Sequence, residues 1–144
     1  MRPVSKESLK TNGYLKLHRG LNGLLFAGKL EIKEFALFLI FVMNCDWDYR
    51  HKNFGKVCIS NKMLSSVKGL YRSLIPKLKD ALVKKGLIKI NGTEYGIEII
   101  EVCNFDKYQT DPKFGFNWLL KDIEKEEKTN TNNQLGRINT SRGV

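Results

Sequence analysis

An α+β fold is predicted by three features of the chain. Residues 35–43 are apolar around nearly every helical azimuth, which suits a buried helix. Apolar residues then recur at helical spacing, first Met63, Leu64 and Val67, then Leu74, Ile75, Leu78 and Leu82, with Gly69 between the two sets. After Gly86 the period shortens to alternation, and Asn91-Gly92 stands between two β-branched runs, a hairpin signal.

Residues 1–12 are polar and lack periodicity, and they read as a flexible leader. Leu17, Leu21, Leu24 and Leu25 are spaced as on a helix, but Gly20, Gly23 and Gly28 each cost up to about 1 kcal/mol relative to alanine and work against a regular one. Residues 31–45 form the predicted central helix, with Glu31 and Glu34 at its positive N-terminal end. Residues 46–55 (DWDYRHKNFG) mix charge and aromatics before a glycine and suit a loop. Residues 56–60 alternate as a short strand with Val57 and Ile59 on one face, and Ser60 or Asn61 can cap a helix over 61–68 that stops at Gly69.

A tight connection at 70–73 leads into a second helix that runs to about Lys85 and ends at Gly86. With Ser73 as N-cap, Pro76 falls in the first turn, where its missing N–H has no intrahelical partner to lose. Residues 87–90 and 97–102 read as strands around a turn centred on Asn91-Gly92 or on the longer NGTEYG. Residues 110–127 carry Phe114, Phe116, Trp118, Leu119, Leu120 and Ile123, the pattern of an added amphipathic helix. Residues 128–144 are rich in Asn and Thr, and disorder is expected there.

Charge is distributed unevenly along this framework. Residues 50–89 hold eleven Lys and Arg against one acid, Asp80, a local +10 that equals the net charge of the whole chain. A folded basic face of this kind points to phosphate. The order helix, strand, helix, tight turn, helix, hairpin over residues 13–109 is that of a winged helix-turn-helix, whose second helix enters the DNA major groove while the hairpin wing reaches neighbouring backbone.

With Ile75, Leu78 and Leu82 inward, the second helix turns Arg72, Ser73, Pro76, Lys77, Asp80 and Lys84 outward. Arg72 and Lys77 are the candidate base readers, since either can contact guanine O6 and N7. Ser73 either caps the helix or meets a base, and Tyr71 either contacts phosphate or packs inward. Lys62, Lys68, Lys84 and Lys89, with Asn91, Thr93 and Tyr95 on the wing, suit phosphate contact. Asp80 can accept from a cytosine amino group or pair with Lys77 or Lys84 along the helix.

Other chemistries find little foothold. GxxxxGK(S/T), HExxH, GxSxG and GxGxxG are all missing, so no enzyme, catalytic residue or cofactor is expected. Cys45, His51 and Cys58 are spaced C-x5-H-x6-C, which is not a zinc pattern, and Asp46 and Asp48 read as surface ion partners rather than magnesium ligands, so no metal is expected. His18 reads as a packing or hydrogen-bonding residue. The three cysteines, Cys45, Cys58 and Cys103, are far apart and read as small core residues in a reducing compartment. The apolar run at 35–43 is about half the ~20 residues needed to span a bilayer, and the N-terminus has no apolar signal core. No membrane is expected, and the expected location is the cytoplasm.

Two flanking motifs narrow the class. Residues 13–19 read GYLKLHR and residues 104–109 read NFDKYQ. Together, bracketing the Gly-Leu turn at 69–70 and the Gly-Leu-Ile entry to the wing at 86–88, they resemble the N-terminal winged-helix domain of phage replisome organisers and related phage or plasmid replication initiators. The resemblance implies binding of double-stranded DNA at an origin or operator through residues 62–95, and recruitment of a host replication protein. In that family recruitment is associated with a further C-terminal domain, whereas only a short amphipathic helix and tail follow Gln109 here. The expected function is therefore sequence-specific double-stranded DNA binding for a phage or mobile element, in replication initiation or its control. The alternative is a protein-binding winged helix that inhibits a host protein or nucleoprotein complex. The face around Phe116, Trp118, Leu119 and Ile123 can serve a homodimer or fold back on its own domain.

Overall fold

The structure is a computed structural model that describes residues 1–17 and 19–105. Its centre is the helix Ile32–Asn44 (α2), preceded by a shorter helix Gly20–Phe26 (α1). Leu37, Phe38 and Phe41 of α2 are wholly buried, but burial is not all round as the apolar composition predicts, since Ala36 and Met43 of the same run are exposed. Burying each such side chain contributes about 1.5–3 kcal/mol. The start of α2 is tied locally, because the Glu31 backbone N–H donates to Glu34 Oε1 at 3.0 Å, half of a capping box.

The chain returns through the strand Lys56–Cys58 (β1), the one-turn helix Asn61–Leu64 (α3), the helix Ile75–Lys84 (α4), and the hairpin Ile88–Glu94 (β2) and Ile97–Val102 (β3). The three strands form one antiparallel sheet in the order β1-β3-β2. α4 packs on both α2 and β2, and α2 also meets β3, so helices cover one face of the sheet. Ile75 and Leu82 of α4, Val57 of β1, Ile88 of β2, and Ile100 and Val102 of β3 meet the α2 side chains in a single core, which Leu21, Leu24, Leu64, Leu87 and Phe105 extend. The described chain is thus a mixed α+β fold of four α-helices and a three-stranded antiparallel sheet.

Several boundaries differ from the sequence expectation, each for a physical reason. α1 starts at Gly20 rather than near Leu17, which is half exposed. α3 ends at Leu64, where 61–68 was expected to be helical. Ser60 does cap it, accepting from the Met63 N–H at 3.0 Å. Beyond Leu64 the bonds become i→i+3 (Ser66 N–H to Met63 O, Val67 N–H to Leu64 O), and the turn tightens toward Gly69.

Ser73 is not the N-cap of α4. Leu74 holds that position with helical backbone angles, and Pro76 stays within the first turn. The Tyr71 carbonyl accepts from Leu74 and Ile75 N–H groups, so Ser73 lies inside a turn that runs straight into the helix, and its side chain is exposed. At the other end Gly86 (φ 74°) terminates α4 as expected: the Leu87 N–H reaches Leu82 O and the Gly86 N–H reaches Val83 O, both at 3.0 Å, a Schellman closure.

Asn91-Gly92 is not the hairpin turn, which falls instead at the end of the longer NGTEYG alternative. Ile90 pairs with Ile100 and Thr93 with Glu98, so Asn91 and Gly92 together face Ile99 in a β-bulge. The turn itself is Tyr95-Gly96, with φ 53° and 74°, the paired positive angles of a two-residue I′ connection. β3 matches the expected 97–102.

Residues 1–12 are attached at two points. The Val4 N–H donates to Cys58 O at 2.7 Å along the outer edge of β1, and the Met1 ammonium pairs with Glu94 Oε2 at 2.8 Å. His18, the amphipathic segment 110–127 with its candidate dimer face, the tail 128–144 and most of the motif at 104–109 lie outside the described residues. Among the described residues no helix is long and apolar enough to cross a membrane.

Candidate nucleic-acid interface

α4 separates the expected side chains by azimuth. Ile75, Leu78 and Leu82 are buried, while Pro76, Lys77, Asp80 and Lys84, with Arg72 and Ser73 just before the helix, are exposed. Lys77 and Lys84, seven residues apart, lie within about 20° of each other on the side facing away from the core. Arg72, Pro76, Asp80 and Val83 flank the sheet side instead, where they line a cleft of about 640 Å³.

That cleft is framed by three elements. α4 supplies one wall, the start of α3 supplies Asn61 and Lys62, and the ribbon supplies Ile90, Gly96, Ile97 and Glu98. Arg72 and the ribbon tip at Gly96 therefore border the same space. Of the expected phosphate ligands Lys62 joins them. Lys68, Tyr71, Ser73, Lys77, Lys84, Lys89, Asn91, Thr93 and Tyr95 do not line the cleft. All nine are nonetheless exposed, on the turn, the outer side of α4 and the ribbon.

Ion pairing divides the basic window. Arg50 pairs with Asp48, Lys79 with Glu98, Lys84 with Asp80 at 3.0 Å, and Lys85 with Glu34. Lys62, Lys68, Arg72, Lys77 and Lys89 make no ion pair among the described residues. The two acids of the cleft, Asp80 and Glu98, are each matched by a lysine, which leaves Lys62 and Arg72 as its uncompensated charges. An anion entering the cleft thus meets net positive potential.

Several expected ligands have partners of their own. Asp80 takes Lys84 rather than Lys77, as an i,i+4 pair on a surface where such pairs add only a few tenths of a kcal/mol (about 0.3–0.5). Asn91 donates to Glu101 Oε1 across the bulge. Tyr71 is half exposed, and the Lys33 ammonium sits 5.7 Å from its ring centroid. Tyr95 stands at the ribbon tip with 83% of its surface exposed.

Sequence reasoning missed Lys79. It is 4% exposed, on the core side of α4, and its ammonium donates to Asn61 Oδ1 at 2.6 Å and Glu98 Oε1 at 2.8 Å. The available signal was its register: Lys79 stands four residues after Ile75 and three before Leu82, on the stripe where the pattern calls for an apolar residue.

Apart from Lys52, the charged side chains of the loop between α2 and β1 pair with one another. Arg50 grips Asp48 through Nε at 2.9 Å and Nη2 at 2.7 Å, and its backbone N–H adds a third bond at 3.0 Å. These hydrogen bonds hold the Asp48 carboxyl well below the usual carboxylate range. His51 Nδ1 lies 2.8 Å from Asp46 Oδ2. Phe54 packs edge-on to Phe105 at 5.2 Å, whereas Trp47 and Tyr49 remain exposed.

Among the described residues no three His, Cys, Asp or Glu side chains converge as a metal cluster. Cys45 and Cys58 are buried, and burial pushes both thiols above their ordinary range. Cys103, expected in the core, is only partly covered.

Comparison with protein-family models, with curated proteins and with solved structures finds no match to this chain.

Proposed function

We propose that these elements form a winged helix-turn-helix and that the protein is a sequence-specific double-stranded DNA-binding protein of a phage or mobile element, acting in replication initiation or its control. The observation that carries this reading is the shared cleft, where unpaired Arg72 and Lys62 face the ribbon tip while both cleft acids are neutralised. A duplex laid against α4 would meet Arg72 and Lys77 at its base edges. Lys62, Lys68, Lys89 and the ribbon tip would lie toward phosphates. Ser73, released from capping, has an exposed hydroxyl to offer a base. The assignment to a mobile element rests on the resemblance carried by residues 13–19 and 104–109.

Selection of bound sequences from random duplexes tests the reading. The wild type is expected to enrich a defined motif. Arg72→Ala is expected to lose about 1–3 kcal/mol of discrimination at one position of it, and Lys77→Ala at another. Retention of a stoichiometric host protein with no enriched duplex would instead favour an inhibitor that uses the same basic face.

A further inference from the structure

We propose that Lys79 is the positioning residue that sets the direction of the outer half of the β2–β3 ribbon relative to α4. The proposal rests on the DNA-binding reading only for its consequence in affinity.

Lys79 sits where an amphipathic helix buries its apolar stripe, and withdrawing an ammonium from water there costs free energy that an apolar side chain would not. The arrangement makes physical sense only through what the ammonium touches. One acceptor, Asn61, begins α3, and the other, Glu98, belongs to β3, so a single buried charge joins all three elements that frame the cleft.

The position of Glu98 in the ribbon is the second observation. Glu98 lies opposite Thr93, the first pair beyond the bulge at Asn91 and Gly92. A bulge bends its strand and raises the local twist, so pairing at Ile90–Ile100 does not by itself aim the hairpin beyond it. The salt bridge from Lys79 crosses that break and fixes the outer ribbon, with its Tyr95-Gly96 tip, to the helix. Two of the three ammonium donors are used internally, which separates Lys79 from the unpaired exposed cations Lys62, Arg72 and Lys77.

Two variants test this in the full chain: Lys79→Met, which keeps the length of the stem, and Glu98→Ala, which removes the partner from its half-exposed end. Amide hydrogen exchange over residues 93–98 is expected to quicken on the order of ten-fold in both variants while α2 keeps its protection. Duplex affinity is expected to fall about five-fold, with the slope of log affinity against log salt unchanged. If Lys79→Met lowers that slope by about 1, the ammonium contacts phosphate directly and the positioning role is overturned. Unchanged exchange over 93–98 in both variants also overturns it. Should Lys79→Met fail to fold, Glu98→Ala decides by the exchange readout: quickened exchange over 93–98 supports the positioning role and unchanged exchange overturns it. If the wild type retains no duplex, the functional reading fails, and the exchange measurement still judges Lys79.

Discussion

Glu34 and Lys85, fifty-one residues apart, form an ion pair that ties the first turn of α2 to the end of α4. The same Glu34 oxygen accepts the Glu31 backbone N–H, so one buried carboxylate caps the central helix and anchors the helix that carries the candidate interface. Glu34→Ala removes both bonds and leaves a mostly covered Lys85 ammonium without its partner. A loss of about 2–3 kcal/mol is expected in urea unfolding. Glu34→Gln keeps an acceptor for the cap and is expected to cost less than Glu34→Ala. Equal losses in the two would mean that the whole loss comes from the carboxylate charge, and a Glu34→Gln variant as stable as the wild type would mean that the charge contributes nothing.

Tyr95 holds a positive φ at the ribbon tip, a backbone region that costs a non-glycine residue about 1–2 kcal/mol. Tyr95→Asn, a residue that tolerates this region, is therefore expected to raise the melting temperature. The same change removes an exposed aromatic from the ribbon tip and is expected to weaken duplex binding. A variant that gains stability without losing affinity would show that Tyr95 has no part in binding.

Acid sensitivity follows from Asp48. Its folded carboxyl titrates well below the unfolded value of about 3.9, because Arg50 donates to the charged form. The stabilisation is fully present above about pH 4 and is lost as the pH falls through the lower folded value, since the unfolded chain binds its proton first. Asp48→Asn is expected to melt below the wild type at pH 6, with the gap narrowing as the pH falls from 5 toward 2. A gap that stays constant over that range would contradict the pairing.

Elements fixed by local chemistry were legible in the residues alone. The all-round apolar run of α2, the alternation of β3 and the Gly86 terminus of α4 need no knowledge of the rest of the chain. The outward azimuth of Lys77 and Lys84 followed from the Ile75, Leu78 and Leu82 stripe alone.

What could not be read depends on distant partners. Asn91-Gly92 carries a turn signal, yet sheet register places the pair in a bulge and moves the reversal to Tyr95-Gly96. Ser73 suits a cap by type, but the turn begun at Tyr71 enters the helix one residue later. The division of the basic window into paired and unpaired cations was equally hidden, because Lys79 meets Glu98 and Lys85 meets Glu34 only once the sheet and α2 are assembled around α4.

On the proposed reading, the unpaired cations around α4 and the ribbon form a surface for duplex phosphate. The most direct measurement is the salt dependence of duplex affinity between 50 and 200 mM. Log affinity is expected to fall linearly with log salt, by roughly 10³ to 10⁵ overall for six to ten phosphate contacts, and more gently in Lys77→Ala. An affinity that holds level across that range would contradict the account.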